Sequence, residues 1–317
     1  MSKYLIQRLL LVIPTFFLAG SLIFSATRIL PGDAAALMLG ANQEPFSEEN
    51  LQKLRERLGL ADPLPIQFVK FWGNTIQGDL GTSIWTKKPV TEEIQRRLPT
   101  TLETLVISVA LGWAWGVLVG VIAARKPEGW MDQVARSVAI LGLSLPVFWV
   151  GMMAIVLPAK FFGWTPLRDY KYIWVDPVQN LQLVIFPSVI LAMFLGAPVM
   201  RLMRTTMLEV LRQDYIRTAY SKGLTERVVI WRHVFKNALM PVITLMGLQV
   251  VAGIGGIVVL EVLFAIPGMG QLLVAQALPK RDYPLIQGIV LVMALITATV
   301  NLCVDLTYGF LDPRVRF

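Results

Sequence analysis

The chain has 317 residues, 55% of them hydrophobic and 16% charged, with a formal net charge of +8 and a mean hydropathy of +0.62. So apolar a composition excludes a soluble domain of average make-up and points to an all-α protein that crosses a membrane several times. The basic residues are strung along short segments between apolar stretches rather than gathered into a reading surface, which argues against nucleic acid as a partner and suits anionic lipid headgroups.

Lys3 and Arg8 precede an apolar segment from about Leu9 to Ile29, interrupted only by Arg28 near its end. A cleaved signal peptide has a shorter apolar core and a small-residue cleavage site, so residues 1–30 are expected to form an N-terminus and a retained first spanning helix. Residues 31–97 change character, being polar and rich in both charge signs, and are expected to form an insert outside the cytoplasm. Within it Ser47 can cap a helix whose Leu51, Leu54 and Leu58 make one apolar stripe and whose stop is Gly59. Pro65 to Gln77 carries Phe68, Phe71 and Trp72 and predicts a second short helix against the membrane face. This insert either faces the side from which solute arrives or is a solvated cap, since it holds no catalytic constellation.

Residues 98–317 are expected to form the core of the membrane domain. Spanning stretches run from about Thr100 to Ala124, Val134 to Leu157, Leu181 to Met200, Leu239 to Phe264 and Leu285 to Phe310, making six with the first. Gly112, Gly116 and Gly120 recur every four residues, so one flank of the second helix admits another backbone, for packing more than for a transport path. Pro146, Pro187 and Pro198 can break the helical ladder, which suits a moving gate or a static kink equally. Gly253, Gly255 and Gly256 leave room near Glu261, whose carboxylate is expected to face a watery cavity, a partner helix or the outer surface. Gly253, Gly256 and Glu261 are therefore candidate pathway or gate residues, the alternative for Glu261 being an ion pair or helix-end contact at the interface. Glu103 and Asp305 are expected near helix ends, paired with arginines.

Lysine and arginine placement sets the orientation. With both termini inside, the cytoplasmic segments hold fifteen such residues, among them Arg125, Lys126, Arg136 and the eight from Arg201 to Lys236. The short outer loops hold five: Lys160, Arg168, Lys171, Lys280 and Arg281. This orientation puts the segment 207–241 in the cytoplasm. A basic polar insert between two apolar spans must sit at the water interface, because its charges and backbone cannot be left in hydrocarbon. Ile216, Ala219, Tyr220 and Gly223 fall three to four residues apart on one helical face, Gly223 suits the cap, and a further helical turn begins near Thr225 with Glu226 in it. Helix, glycine corner and helix make a knob that fits a partner's groove, or alternatively anchor lipid headgroups through Arg217, Lys222 and Arg227.

The chemistry the chain lacks is equally informative. One cysteine, Cys303, and one histidine, His233, provide no disulfide framework and no zinc helix. The absence of a Gly-x-x-x-x-Gly-Lys-Ser/Thr loop means that ATP dependence must come from another subunit. No catalytic, cofactor or metal residue is expected.

Several motifs carry a resemblance. Asp214-Tyr215-Ile216-Arg217-Thr218-Ala219 with Lys222-Gly223-Leu224, then Arg232-His233 and Lys236-Asn237-Ala238 before Pro241, resembles the cytoplasmic loop of ATP-binding-cassette importer permeases of the dipeptide, oligopeptide and nickel type. Arg217-Thr218 stands where importers in general carry Glu-Ala, a departure that fits the peptide-type branch. Leu30-Pro31-Gly32-Asp33, Leu58-Gly59-Leu60 with Asp62-Pro63-Leu64, Gly78 to Gly81, Glu261 with Phe264 and Pro267 to Gly270, Arg281 to Pro284 and Asp312-Pro313-Arg314 are similar to the same family. The resemblance implies a subunit of an importer in a bacterial or archaeal plasma membrane. It implies as partners a second related permease, two ATPase subunits carrying ATP and Mg, an external solute-binding protein and membrane lipid. It further implies that Asp214, Tyr215, Arg217, Thr218, Ala219, Lys222, Gly223 and Leu224 dock the ATPase, and that a peptide or similar small solute passes. A secondary transporter acting alone would need mid-membrane ion-coupling carboxylates, and Glu261 is nearly all the chain offers. An intramembrane enzyme would need a nucleophile with a base or a metal cluster, which one histidine and scattered carboxylates do not make.

Overall fold

The computed structural model describes residues 2–29, 34–41, 47–166 and 169–311, the side chains of 2–9, 41 and 305–311 excepted. The motifs at Leu30 to Asp33 and Asp312 to Arg314, and the side chains of Lys3, Arg8, Arg168, Asp305 and Arg316, lie outside that description. In order, the helices are α1 (Ser2–Ile29), α2 (Ala34–Ala41), α3 (Glu48–Arg57), α4 (Leu64–Ile76), α5 (Val90–Arg125), α6 (Trp130–Ser144), α7 (Val147–Phe162) and α8 (Pro177–Leu211). They continue as α9 (Asp214–Ser221), α10 (Glu226–Val228), α11 (Phe235–Leu263), α12 (Met269–Gln271), α13 (Leu278–Lys280) and α14 (Tyr283–Leu311). Among the described residues the only β pairing is one isolated antiparallel bridge, Thr82 with Pro89.

By length and composition α1, α5, α8, α10 continued through α11, and α14 can each cross a membrane. The expected third span, Val134 to Leu157, is not one helix. It is α6 and α7, bent by 102°, because Pro146 cannot continue a ladder and drives Leu145 into extended backbone at φ −89, ψ 134. Pro187 and Pro198, in contrast, sit inside the uninterrupted α8.

Two compact units divide the chain, one of Leu9–Thr101 with Pro267–Ala298 and one of Met1–Arg8, Leu102–Ile266 and Thr299–Phe317. The segment 31–97 thus folds together with α1 and the start of α14. In that first unit the Ser47 hydroxyl accepts from the Asn50 amide to start α3. Gly59, left-handed at φ 67, ends it with an amide bonded to the Glu56 carbonyl. The aromatic face of α4 packs on α1: Trp72 stacks on Phe17 at 4.8 Å, and Phe68 meets Phe24 edge-on at 5.3 Å. Asp282 accepts both the Ser83 hydroxyl and the Ile84 amide, over a core that includes Val90, Met269, Leu272, Ile286 and Ile289.

In the second unit the glycine flank of α5 lies directly on α8. A methyl at Gly116 would stand 2.8 Å from the Gly196 carbonyl oxygen, and one at Gly120 would stand 2.7 Å from Met203. Gly196 in turn faces the Trp115 ring, whose indole donates to the Ala192 carbonyl at 2.8 Å. The flank serves packing, since only hydrogen side chains permit this approach. Gly116→Val is expected to destabilise the detergent-solubilised protein by about 1–3 kcal/mol, read as a fall in its thermal midpoint. Gly73→Ala, where an added methyl meets open space, should leave that midpoint unchanged or higher.

Candidate functional site

The elbow between α8 and α11 is built by burying one side of a short helix and exposing the other. Arg212 caps α8, Gln213 turns the chain, and α9 follows for eight residues. Ile216 and Ala219 face inward and join a core with Met203 and Met207 of α8, Val229, Ile230 and Val234 of the returning chain, and Ala238 of α11. The two long helices are also joined directly, as the Thr206 hydroxyl donates to the Ala238 carbonyl at 3.1 Å. Gly223 takes the left-handed conformation at φ 79, its amide bonding the Tyr220 carbonyl while the Leu224 amide reaches that of Ala219.

The outward side carries Asp214, Tyr215, Arg217, Thr218, Lys222, Gly223 and Leu224, all exposed. Ala219, only 7% exposed, is instead part of the seat that holds the helix, and Tyr220, expected on one helical face with Ile216 and Ala219, is exposed while those two are buried. Tyr215 is fixed from outside, its hydroxyl accepting from the Asn237 side-chain amide at 2.9 Å. Arg217 approaches Asp214 at 3.9 Å with both side chains over 80% exposed, a geometry that contributes little stability and leaves both charges open to a partner.

The turn beginning at Thr225 is not a separate element. α10 runs through a π-helical turn, Val229–Val234, into α11, so the returning arm of the elbow and the fifth span are one continuous rod, Glu226–Leu263. The extra residue in that turn lets Val229 and Val234, five apart, share the buried side, and such turns recur at functional positions.

Farther along α11 the pathway candidates are enclosed. Glu261 is fully buried and borders a core containing Ile257, Leu260 and Phe264, with its carbonyl accepting the Ile266 amide at 2.9 Å. Gly253 admits Leu105 and Leu195, and Gly256 admits Leu191, so leucines occupy the room these two glycines leave. Gly255 alone faces open space. Among the described residues no arginine pairs with Glu103. Its Oε2 accepts from the Tyr170 hydroxyl and the Asn180 amide, each at 3.2 Å.

One polar cluster was not anticipated. Asp132 at the start of α6 is fully buried and receives Nε and Nη2 of Arg204 from α8, the latter at 2.6 Å, together with the Glu128 amide at 2.9 Å. Arg136 closes the group by donating to Glu128 at 3.0 Å. In sequence Arg204 counts as one more cytoplasmic cation and Asp132 as an isolated acid; only folding reveals their bidentate match. Asp132→Ala is expected to cost about 3 kcal/mol in thermal unfolding by stranding Arg204. Adding Arg204→Met should recover part of the loss, as expected for a coupled pair.

Residues 116–317 match the family described as binding-protein-dependent transport system inner membrane component. Residues 1–105 match the N-terminal part of the same kind of protein. The dipeptide transport system permease protein of Alkalihalophilus pseudofirmus is 36% identical, with 100% of both chains covered. The glutathione transport system permease protein of Pectobacterium atrosepticum is 38% identical, again over 100% of both. Among solved structures, inward-facing MetNI methionine ABC transporter superposes with a TM-score of 0.56 at 14% identity, over 69% of this chain and 96% of that one, a likeness of fold.

Proposed function

The chain belongs to the inner membrane components of binding-protein-dependent transport systems, and from that membership we propose that it forms part of a passage for peptides or related small solutes, worked from its cytoplasmic elbow. It is the permease subunit of an ATP-driven importer, a multi-pass inner-membrane protein that acts with other components of the system, and ATP hydrolysis belongs to partner subunits. The peptide class of the solute is inferred from relatives named for dipeptide, di/tripeptide and glutathione transport.

The observation that carries the mechanism is the division of α9 into a seated side and an offered side. Ile216 and Ala219 lock it to α8 and α11, while Asp214, Tyr215, Arg217, Thr218, Lys222, Gly223 and Leu224 remain free for an ATPase groove. Closure of two ATPase subunits, each holding ATP and Mg, pushes that offered side. Because α9 is seated on one long helix and the rod α10 to α11 continues from it, the push becomes motion of both spans. A paired second permease, arranged likewise, completes the switch between inward- and outward-facing states. Both termini then lie in the cytoplasm, and residues 31–97 face an external solute-binding protein. Glu261, enclosed by its neighbours, is the carboxylate positioned to become exposed when α11 moves, with Gly253 and Gly256 as the places where α11 slides on leucines of α5 and α8.

Reversing both exposed cations, Arg217→Glu with Lys222→Glu, is expected to leave insertion and folding intact while abolishing solute uptake and its stimulation of ATP hydrolysis. Gly223→Pro should do the same, since proline cannot adopt φ 79. Persistence of ATPase binding and uptake in both variants would remove the elbow from the coupling path. For Glu261→Gln, uptake at the normal rate in an intact assembly would remove Glu261 from the pathway.

A further inference from the structure

The unit formed by Leu9–Thr101 and Pro267–Ala298 contains a half-open cavity of about 880 Å³. Arg28, Lys53, Arg57 and Lys87 converge on it with Asn50 and Tyr283, and among its described lining residues there is no carboxylate. Lys53 is engaged with Glu49 at 2.6 Å, on the exposed face of α3. Among the described residues Arg28, Arg57 and Lys87 form no ion pair. The Arg28 guanidinium is held between two rings, 5.2 Å from the centroid of Phe24 and 5.2 Å from that of Tyr283, and its Nε is buried without a hydrogen-bond partner.

A guanidinium placed near the end of a spanning helix, kept in place by aromatic faces and left with an unsatisfied buried donor, is costly unless something anionic completes it. Besides the paired Lys53, three cations face one concavity with no carboxylate among its described lining residues, and the field they create concentrates anions there. The volume lies in the range of small-ligand sites and exceeds what a single inorganic ion would fill. Planar guanidinium groups match carboxylates in particular, through paired hydrogen bonds.

We propose that this cavity binds the carboxylate groups of a small organic solute on the external side of the membrane. The proposal rests on the importer reading for its orientation, and it identifies anionic, free-acid peptides as the solutes that gain from it. Arg28 supplies the fixed inner contact, while Arg57 and Lys87, both exposed, supply outer contacts that can release.

The test uses the full-length permease in phosphatidylcholine nanodiscs with the subunits that accompany it, without the external binding protein. Triglutamate and trialanine amide serve as probes in a calorimetric titration. Triglutamate is expected to bind with an affinity that falls as salt rises, and trialanine amide is not. Arg57→Gln, an exposed position whose change leaves the fold intact, should weaken triglutamate about tenfold; Arg28→Gln should do so at least as strongly. Equal binding of the two probes, or unchanged affinity in Arg57→Gln, would overturn the proposal. So would loss of triglutamate binding on adding phosphatidylglycerol to the discs, which would assign the cavity to lipid headgroups. Failure of the importer reading shows separately: Gly223→Pro should keep triglutamate binding while losing uptake, so uptake that survived Gly223→Pro would count against the elbow and leave the cavity result standing.

Discussion

The contact on which the second unit depends is the close approach of α8 to a flank of α5 formed by Gly112, Gly116 and Gly120. Lipid tails are as apolar as leucine, so burial alone gives helices no reason to associate in a bilayer; close backbone packing does. Gly112, Gly116 and Gly120 let α8 main chain and side chains come within contact of α5, and α8 is the most deeply enclosed of the long apolar helices. Its inner portion packs closely against α5 while its end carries the elbow. The close packing of α8 gives Ile216 and Ala219 a buried seat on Met203 and Met207.

Wherever local chemistry alone decides the outcome, the sequence was legible. Ser47 and Gly59 delimit α3 because a hydroxyl cap and a left-handed glycine act over a few residues. The apolar spans follow from length, and Gly223 marks the corner after α9 as its spacing predicts. The helix at Pro65 to Gln77 exists as expected, but its aromatic ring pairs fix it on α1, a tertiary choice that periodicity does not contain.

Properties that depended on partners distant in the chain were not legible. The Asp132–Arg204 pair joins residues 72 apart, and Glu103 accepts from Tyr170 and Asn180 because loop 169–176 folds back over the end of α5. The π-helical turn escaped notice because Val229, Ile230 and Val234 fit no single 3.6-residue stripe. For the candidate elbow, the charges that the sequence places in the segment, Asp214, Arg217 and Lys222, are exposed. The sequence could not separate Ala219, which holds the helix from beneath, from neighbours that point away, since that distinction depends on where α11 returns.

The corner at Leu145 and Pro146 has its own consequence. Main-chain carbonyls at the end of α6 have no following turn to receive them, and acyl chains offer no hydrogens to bond. A break of 102° within a stretch otherwise apolar enough to span is therefore tolerated only where water or another polypeptide lies alongside. Here α8 supplies that neighbour on one side, Ala197 standing 3.3 Å from the place a methyl on Gly142 would take, while Leu141, Leu143, Phe148 and Trp149 are more than 40% exposed around the corner.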